Sequence, residues 1–180
     1  MTTLGVISDT HIPDRSPQLN PRALEVFRQA GVTLILHAGD IMIQQVLDEL
    51  VQVAPVQAVC GNRDVWNLKH LPSHLQLEIE GVRIGMTHGH GTLSEYIFEK
   101  FEIAIKGKRV GRYLRRVVAA FPEADVVIFG HLHVAGVLQV EGKLLLNPGS
   151  PCCPFPRSLK PSVALLHVES GHARAEIVEL

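Results

Sequence analysis

The sequence predicts an α/β protein with a parallel sheet in its first half and antiparallel strand pairs in its second. Three observations predict this. Short apolar runs recur along the chain, helical patterns alternate with them as far as Cys60, and Gly-containing two-residue turns then separate β-rich runs.

The apolar runs are residues 4–8, 33–38, 56–60, 82–87 and 126–129. Each is short, nearly continuous and bounded by turn residues, the signature of a strand buried on both faces. Residues 21–30 form the first helix: Asn20 is placed to cap it, Pro21 suits its first turn, and Leu24, Phe27 and Ala30 share an apolar side. Residues 44–53 form the second, with Val46, Leu47, Leu50 and Val53 near helical spacing and Pro55 stopping it. After Pro72 the rhythm changes. Residues 75–79 and 82–86 flank Glu80-Gly81 as a hairpin, 135–140 and 143–146 flank Glu141-Gly142, and 162–168 and 173–178 flank Ser170-Gly171.

Between these pairs, residues 93–121 read as helical but broken near Gly107, and they gather Lys100, Lys106, Lys108, Arg109, Arg112, Arg115 and Arg116. One reading is a solvated amphipathic helix pair with Val110, Leu114, Val117 and Val118 towards the core. The other is a lid presenting cations to a phosphate-bearing substrate.

A chain of 180 residues is expected to form one domain, 1–180, able to bury its own core. Its net charge of -1 provides no global attraction to nucleic acid or acidic membranes. Met1 leads directly into a strand without a basic leader, and no apolar run nears the ~20 residues of a membrane span. The expectation is a soluble cytoplasmic protein. Three cysteines, two of them adjacent, fit a reducing compartment, with Cys60 packing in a strand and Cys152 and Cys153 lining a Pro-rich loop.

The candidate chemistry lies where the apolar runs end. Asp9 and His11, Asp40, Asn62, His88, then His131 and His133 each follow one closely. Parallel strands ending side by side converge such residues on one edge. Gly39 permits a tight turn before Asp40, whose two oxygens can bridge two cations, and Asn62 offers a neutral oxygen. Imidazole and carboxylate without thiolate suit manganese, iron, cobalt, nickel or zinc better than calcium or magnesium.

The ordered set Asp9-x-His11, Gly39-Asp40, Gly61-Asn62-Arg63-Asp64, His88-Gly89-His90 and Gly130-x-x-His133 resembles the calcineurin-like metallophosphoesterases, nearest to their small bacterial and archaeal phosphodiesterases. Asn147-Pro148-Gly149 resembles a further landmark of that family, so the likeness spans the chain. It implies two packed mixed β-sheets flanked by helices. It also implies two divalent transition-metal ions, manganese favoured and iron, nickel, cobalt or zinc as alternatives. One would take Asp9, His11, Asp40 and His133, the other Asp40, Asn62, His88 and His131, with Asp40 as the bridge. Ions ~3.5–4 Å apart can activate a bridging hydroxide for in-line attack on a phosphodiester.

Asp40, Asn62, Arg63 and His90 are then the residues expected to act on the substrate. Many family members carry histidine where this chain has Arg63. Arginine is no acid near neutral pH, but it can clamp a phosphate oxygen; the alternative is a salt bridge with Asp64. His90 is expected either to help protonate a leaving group or to support the ligands. His37 is expected to pack behind the site and orient a ligand, while His70, His74, His167 and His172 are surface or structural. Trp66 and Phe155 either stack a base or aromatic leaving group or simply pack.

The expected substrate is a small phosphodiester or nucleotide-like molecule, with no membrane partner, no strong nucleic-acid signal and homo-oligomerisation open. The alternatives are a broad-specificity phosphomonoesterase, a structural metal site, or a protein-binding scaffold like the retromer subunit that shares the fold. Ligand completeness favours an enzyme.

Overall fold

The structure, a computed structural model, describes residues 1–91 and 110–180. Its elements run β1 (Thr2–Ile7), α1 (Pro21–Gln29), β2 (Leu34–His37), α2 (Gln44–Val51), β3 (Val56–Ala58), β4 (His74–Ile79) and β5 (Val82–Thr87). There follow α3 (Val110–Ala119), β6 (Val126–Phe129), β7 (Ala135–Val140), β8 (Lys143–Pro148), β9 (Ser162–Glu169) and β10 (His172–Glu179). Most of the predicted basic segment, residues 93–109, lies outside the described residues, and only its last part is α3.

Local rules account for the helix ends. The Asn20 side chain accepts the Arg22 N–H at 3.1 Å and Pro21 occupies the first turn, so α1 starts where expected. Its inner face is carried by Ala23 and Phe27, while Leu24 is only partly buried. The second helix stops at Val51, short of the predicted Val53, and a turn through Gln52–Ala54 leads to Pro55.

Among the described residues, ten strands form two five-stranded sheets, ordered β10-β9-β1-β2-β3 and β4-β5-β6-β8-β7. Strands β1, β2 and β3 are mutually parallel, as are β5, β6 and β8, whereas β4–β5, β7–β8, β9–β10 and β1–β9 are antiparallel. This is the pair of mixed sheets that the family resemblance implied.

The sheets pack face to face with helices outside. Leu4, Val6 and Leu36 of the first sheet meet Val82, Ile84, Met86, Val126, Ile128, Leu144 and Leu146 of the second. The alternate residues point outwards: Ile7 and Ile35 pack with Phe27, Val46 and Leu50 of α1 and α2, and Val127, Phe129 and Leu145 pack with Tyr113, Val117 and Phe121 at α3. Strands covered on both faces explain the continuous apolar runs. Because β1, β2 and β3 are parallel, and β5 and β6 are parallel, the loops after them emerge together. Asp9 N–H donates to Gly39 O at 2.9 Å, and His88 Nδ1 reaches Ala38 O at 2.7 Å across the two sheets.

Candidate metal centre

Five of the seven predicted ligands occupy left-handed backbone conformations. Asp9 has φ 54°, His11 50°, Asp40 57°, His131 68° and His133 57°. Such a position costs a non-glycine residue about 1 kcal/mol or more, so the surrounding bonds must hold each against relaxation. Strain concentrated on ligand-type residues marks this loop cluster as functional. The preceding glycine makes room for Asp40: Gly39 has φ 91°, and a Cβ there would come within 2.8 Å of His88 Nδ1. A Cβ on Gly61 would collide with the Asp40 backbone N and Oδ1. Both motif glycines are therefore demanded by close approach.

Asp9, His11, Asp40 and His133 form one tight group. His11 Nε2 lies 3.1 Å from His133 Nε2, 3.4 Å from Asp40 Oδ2 and 3.8 Å from Asp9 Oδ1, and His133 Nε2 lies 3.3 Å from Asp9 Oδ1. With metal–ligand bonds of about 2.0–2.2 Å, ligand atoms in tetrahedral or octahedral sites stand roughly 3–3.5 Å apart, so this donor set fits a divalent ion. The tautomer of His133 fits too. Cys153 O accepts from His133 Nδ1 at 2.6 Å, which leaves the Nε2 lone pair facing the carboxylates.

The second group shares Asp40. His88 Nε2 lies 3.4 Å from the same Asp40 Oδ2, and its Nδ1–H is directed to Ala38 O. The His88 and His131 rings meet edge-on at 5.2 Å, and His131 stacks on Tyr113 at 5.9 Å. Among the described residues, His88 Nε2 and Asn62 Oδ1 are buried without a hydrogen-bond partner. Buried polar atoms are normally satisfied, so an imidazole nitrogen and a carbonyl oxygen left open beside a carboxylate are what a cation would complete.

The electrostatics divide the histidines. Burial pushes His11 and His131 down to about 3, against the partial attraction of Asp40, so both present neutral imidazole. Burial also disfavours charge on His88, but Asp40 and Asp9 outweigh it and raise its pKa to about 10. Asp40, though burial raises it, is held below the usual carboxylate range chiefly by His88. In the metal-free pocket a proton on His88 therefore occupies the electrostatic place of a cation between two carboxylates.

Several supporting residues escape a sequence reading. Buried Asp64 accepts the backbone N–H of Asp40, Ile41, Met42 and Gly61 at 2.7–2.8 Å, locking the two metal-side loops together. Ser8 Oγ lies 2.7 Å from Asp9 Oδ2, Ser150 Oγ donates to Asp9 O at 2.7 Å, and Asn147 Nδ2 donates to Gly130 O at 2.9 Å. Cys153, read from sequence as loop lining, puts its carbonyl on His133 and its sulfur 3.5 Å from the same ring. Only the Asn-Pro-Gly motif and the acid after Arg63 offered a signal. Backbone partnerships of serine and cysteine leave none.

Two expectations change. Arg63 does not pair with Asp64, which is consumed by backbone donors. Its guanidinium instead lies 3.7 Å from Asp14 with both side chains about two-fifths exposed, while its N–H donates to Asp40 Oδ1 at 2.8 Å. His37 packs behind the site, but its Nδ1 accepts the Gly39 N–H at 3.2 Å, so it orients backbone rather than a ligand side chain. His90 keeps both of its readings: it stands 5.4 Å ring to ring from His88, burial lowers its pKa to about 4, and among the described residues its Nδ1 is buried without a hydrogen-bond partner. In α3, Arg116 donates to Gly89 O at 2.7 Å and lies over the Tyr113 ring, bracing the His88 loop.

A two-sheet sandwich with a carboxylate–imidazole cluster at its parallel-strand ends points to the calcineurin-like phosphoesterase superfamily. The chain belongs to that class: residues 2–171 match the calcineurin-like phosphoesterase superfamily domain. It is 39% identical over 176 residues to a probable metallophosphoesterase of Methanothermobacter thermautotrophicus, covering 97% of this chain and 91% of the relative. A phosphodiesterase of Methanocaldococcus jannaschii is 28% identical over 189 residues, covering 98% and 99%. Among solved structures, an archaeal phosphodiesterase superposes with TM-score 0.65 at 26% identity, covering 98% of this chain and all (100%) of that one. The fold is also that of Vps29 from Entamoeba histolytica complexed with zinc, TM-score 0.72 at 24% identity with 99% of each chain covered.

Proposed function

We propose that the protein is a dinuclear metal-dependent phosphodiesterase acting on a small phosphodiester or nucleotide-like substrate. One observation carries the reading: Asp40 Oδ2 lies 3.4 Å from both His11 Nε2 and His88 Nε2, the position of a carboxylate shared by two ions. Asp9, His11, Asp40 and His133 would hold one ion; Asp40, Asn62, His88 and His131 would hold the other. Manganese suits this nitrogen and oxygen set, with iron, cobalt, nickel and zinc sharing the preference. Ions held by these residues would supply positive charge against the phosphoryl oxygens and would acidify an attacking water, so that no protein nucleophile would be needed.

The chain's own residues do the remaining work. Asp64, Ser8 and Ser150 hold the ligand loops in their strained conformations. The exposed Arg63–Asp14 pair is weak, as such pairs are, so the guanidinium is available to turn towards a phosphate oxygen beside Asn62. His90 is kept neutral by burial and His88, which fits support of the ligands or transfer of a proton from solvent better than a standing charge. That one relative is named a phosphodiesterase supports the diester reading over the monoester one.

The test is hydrolysis of an activated phosphodiester by chelated protein reloaded with manganese, beside the matching monoester. Metal-dependent turnover with the diester preferred is expected. Metal-independent turnover overturns the mechanism, and a preferred monoester overturns the substrate class. The relatives named Vps29 keep a scaffold reading in view. It predicts metal uptake without turnover of either ester.

A further inference from the structure

The carboxylate and imidazole donors of the centre leave one neighbouring sulfur unused. A ring nitrogen of His11, a ring nitrogen of His133 and Cys153 Sγ all lie within 4.8 Å of one another. His133 is tied by its Nδ1 to Cys153 O at 2.6 Å, with the Cys153 sulfur 3.5 Å from that same nitrogen. His11 is 1% exposed, and among the described residues its Nδ1 is buried without a hydrogen-bond partner. Buried polar atoms are normally satisfied, so an imidazole left open in a trio with a thiol is a second, independent sign of a cation. The thiol is placed by its own backbone. Cys153 N–H donates to Ser150 Oγ at 2.8 Å and Cys153 O accepts from His133, so the main chain is pinned on both sides and χ1 alone decides where the sulfur points. Ser150 Oγ donates to the sulfur and the sulfur to Asp9 O, each at 3.4 Å, and such sulfur contacts are weak. Around a single ion, a thiolate at ~2.3 Å and an imidazole at ~2.0–2.1 Å stand roughly 3.6 Å apart. The 4.8 Å limit of the trio exceeds that by about 1.2 Å, a gap within the sweep of one χ1 rotation.

We propose that Cys153 is a further metal ligand, a sulfur that joins His11 and His133 on the ion of the Asp9 side and makes that position select a thiophilic ion such as zinc. The inference rests on the metal-centre reading above, and the experiment separates the two. Thiolate donors favour zinc over manganese, whereas the group of Asn62, His88 and His131 offers only nitrogen and oxygen. The two positions are therefore unequal, with the stronger preference for zinc on the first. Manganese supplied alone still fills both, because the carboxylate and imidazole donors of the first position remain. As the Cys153 sulfur bonds to the ion, the S–H proton leaves to solvent.

Cobalt(II) is the probe, because a thiolate bound to it adds an intense charge-transfer band in the near ultraviolet that nitrogen and oxygen donors do not. Chelated protein titrated with cobalt chloride is expected to develop that band. Cys153→Ser should remove it while cobalt is still taken up, and a double variant, Cys60→Ser with Cys152→Ser, should keep it. In competition titrations, Cys153→Ser should lower zinc affinity about tenfold or more and leave manganese affinity within about twofold. Serine can keep the contacts to Ser150 and Asp9, so variant and parent should melt alike. The spectrum of the parent is a test by itself, whatever the stability of the variant. Cobalt uptake by the parent without the band overturns the sulfur ligand and leaves the carboxylate and imidazole centre standing. A band that survives Cys153→Ser also overturns it, since the sulfur then belongs to another cysteine. Equal loss of zinc and manganese affinity in that variant overturns the selectivity, because Cys153 then acts only by holding His133. If neither cobalt nor manganese is taken up, the metal centre itself fails, and this ligand with it.

Discussion

The carboxylate of Asp64 accepts the backbone N–H of Asp40 at 2.8 Å, so one buried acid fixes the conformation of another that faces the candidate metals. Four backbone donors converge on Asp64, from Asp40, Ile41, Met42 and Gly61. Asp64→Ala strands them, and each stranded buried donor costs about 1–3 kcal/mol, so a loss of at least about 3 kcal/mol is expected. Asp64→Asn should fall between, because an amide has one acceptor oxygen. Urea unfolding and manganese titration should show stability and metal affinity lost together. An Asp64→Ala protein as stable as the parent would contradict the clamp.

Asp40→Asn tests the shared carboxylate more directly. Replacing it leaves one neutral oxygen between His11 and His88, too little to serve two cations. Calorimetric titration should find two manganese ions in the parent and fewer in the variant. Activity should drop about 10²-fold or more, since several kcal/mol of charge stabilisation is at stake. Two ions bound with unchanged affinity would remove Asp40 from the bridging position.

The left-handed conformation of His131, φ 68°, predicts an unusual stability order. Both His131→Ala and His131→Gly delete the imidazole, but only glycine takes that φ without strain. The glycine variant should therefore be the more stable by about 1 kcal/mol, the reverse of the usual ranking. Thermal melts of the two metal-free variants decide it, and alanine equal to glycine would mean that the backbone there is not strained.

Metal uptake should depend on pH through His88. Its folded pKa stands near 10 against an ordinary 6.5, so below pH 10 an ion must displace its proton. Affinity should rise with pH, by up to tenfold per unit across the neutral range, and manganese added to weakly buffered protein should release protons. In the metal-free protein the sign is opposite. Protonated His88 stabilises the fold in full below pH 6.5, and the contribution is lost as pH rises through about 10. Metal affinity that does not change between pH 7 and 9 would argue against a resident proton.

The strands, their two-sided burial and the ligand types were legible in the sequence, because apolar periodicity and glycine-bearing turns are local properties. Asn20 capping α1 and Gly39 before Asp40 needed no tertiary information. Neither did the identity of the residues at the strand ends. Which atoms face one another was different, because it depends on contacts between loops far apart in the chain. Asp64 reads as a partner for Arg63 until the loops after β2 and β3 close around it, and Arg63 then pairs with Asp14 instead. Cys153 and Ser150 act through backbone contacts that no side-chain pattern records. Sequence decided the chemistry available, since that lies in residue types at strand ends. Tertiary structure decided its arrangement, since only the packing of two sheets brings those ends together.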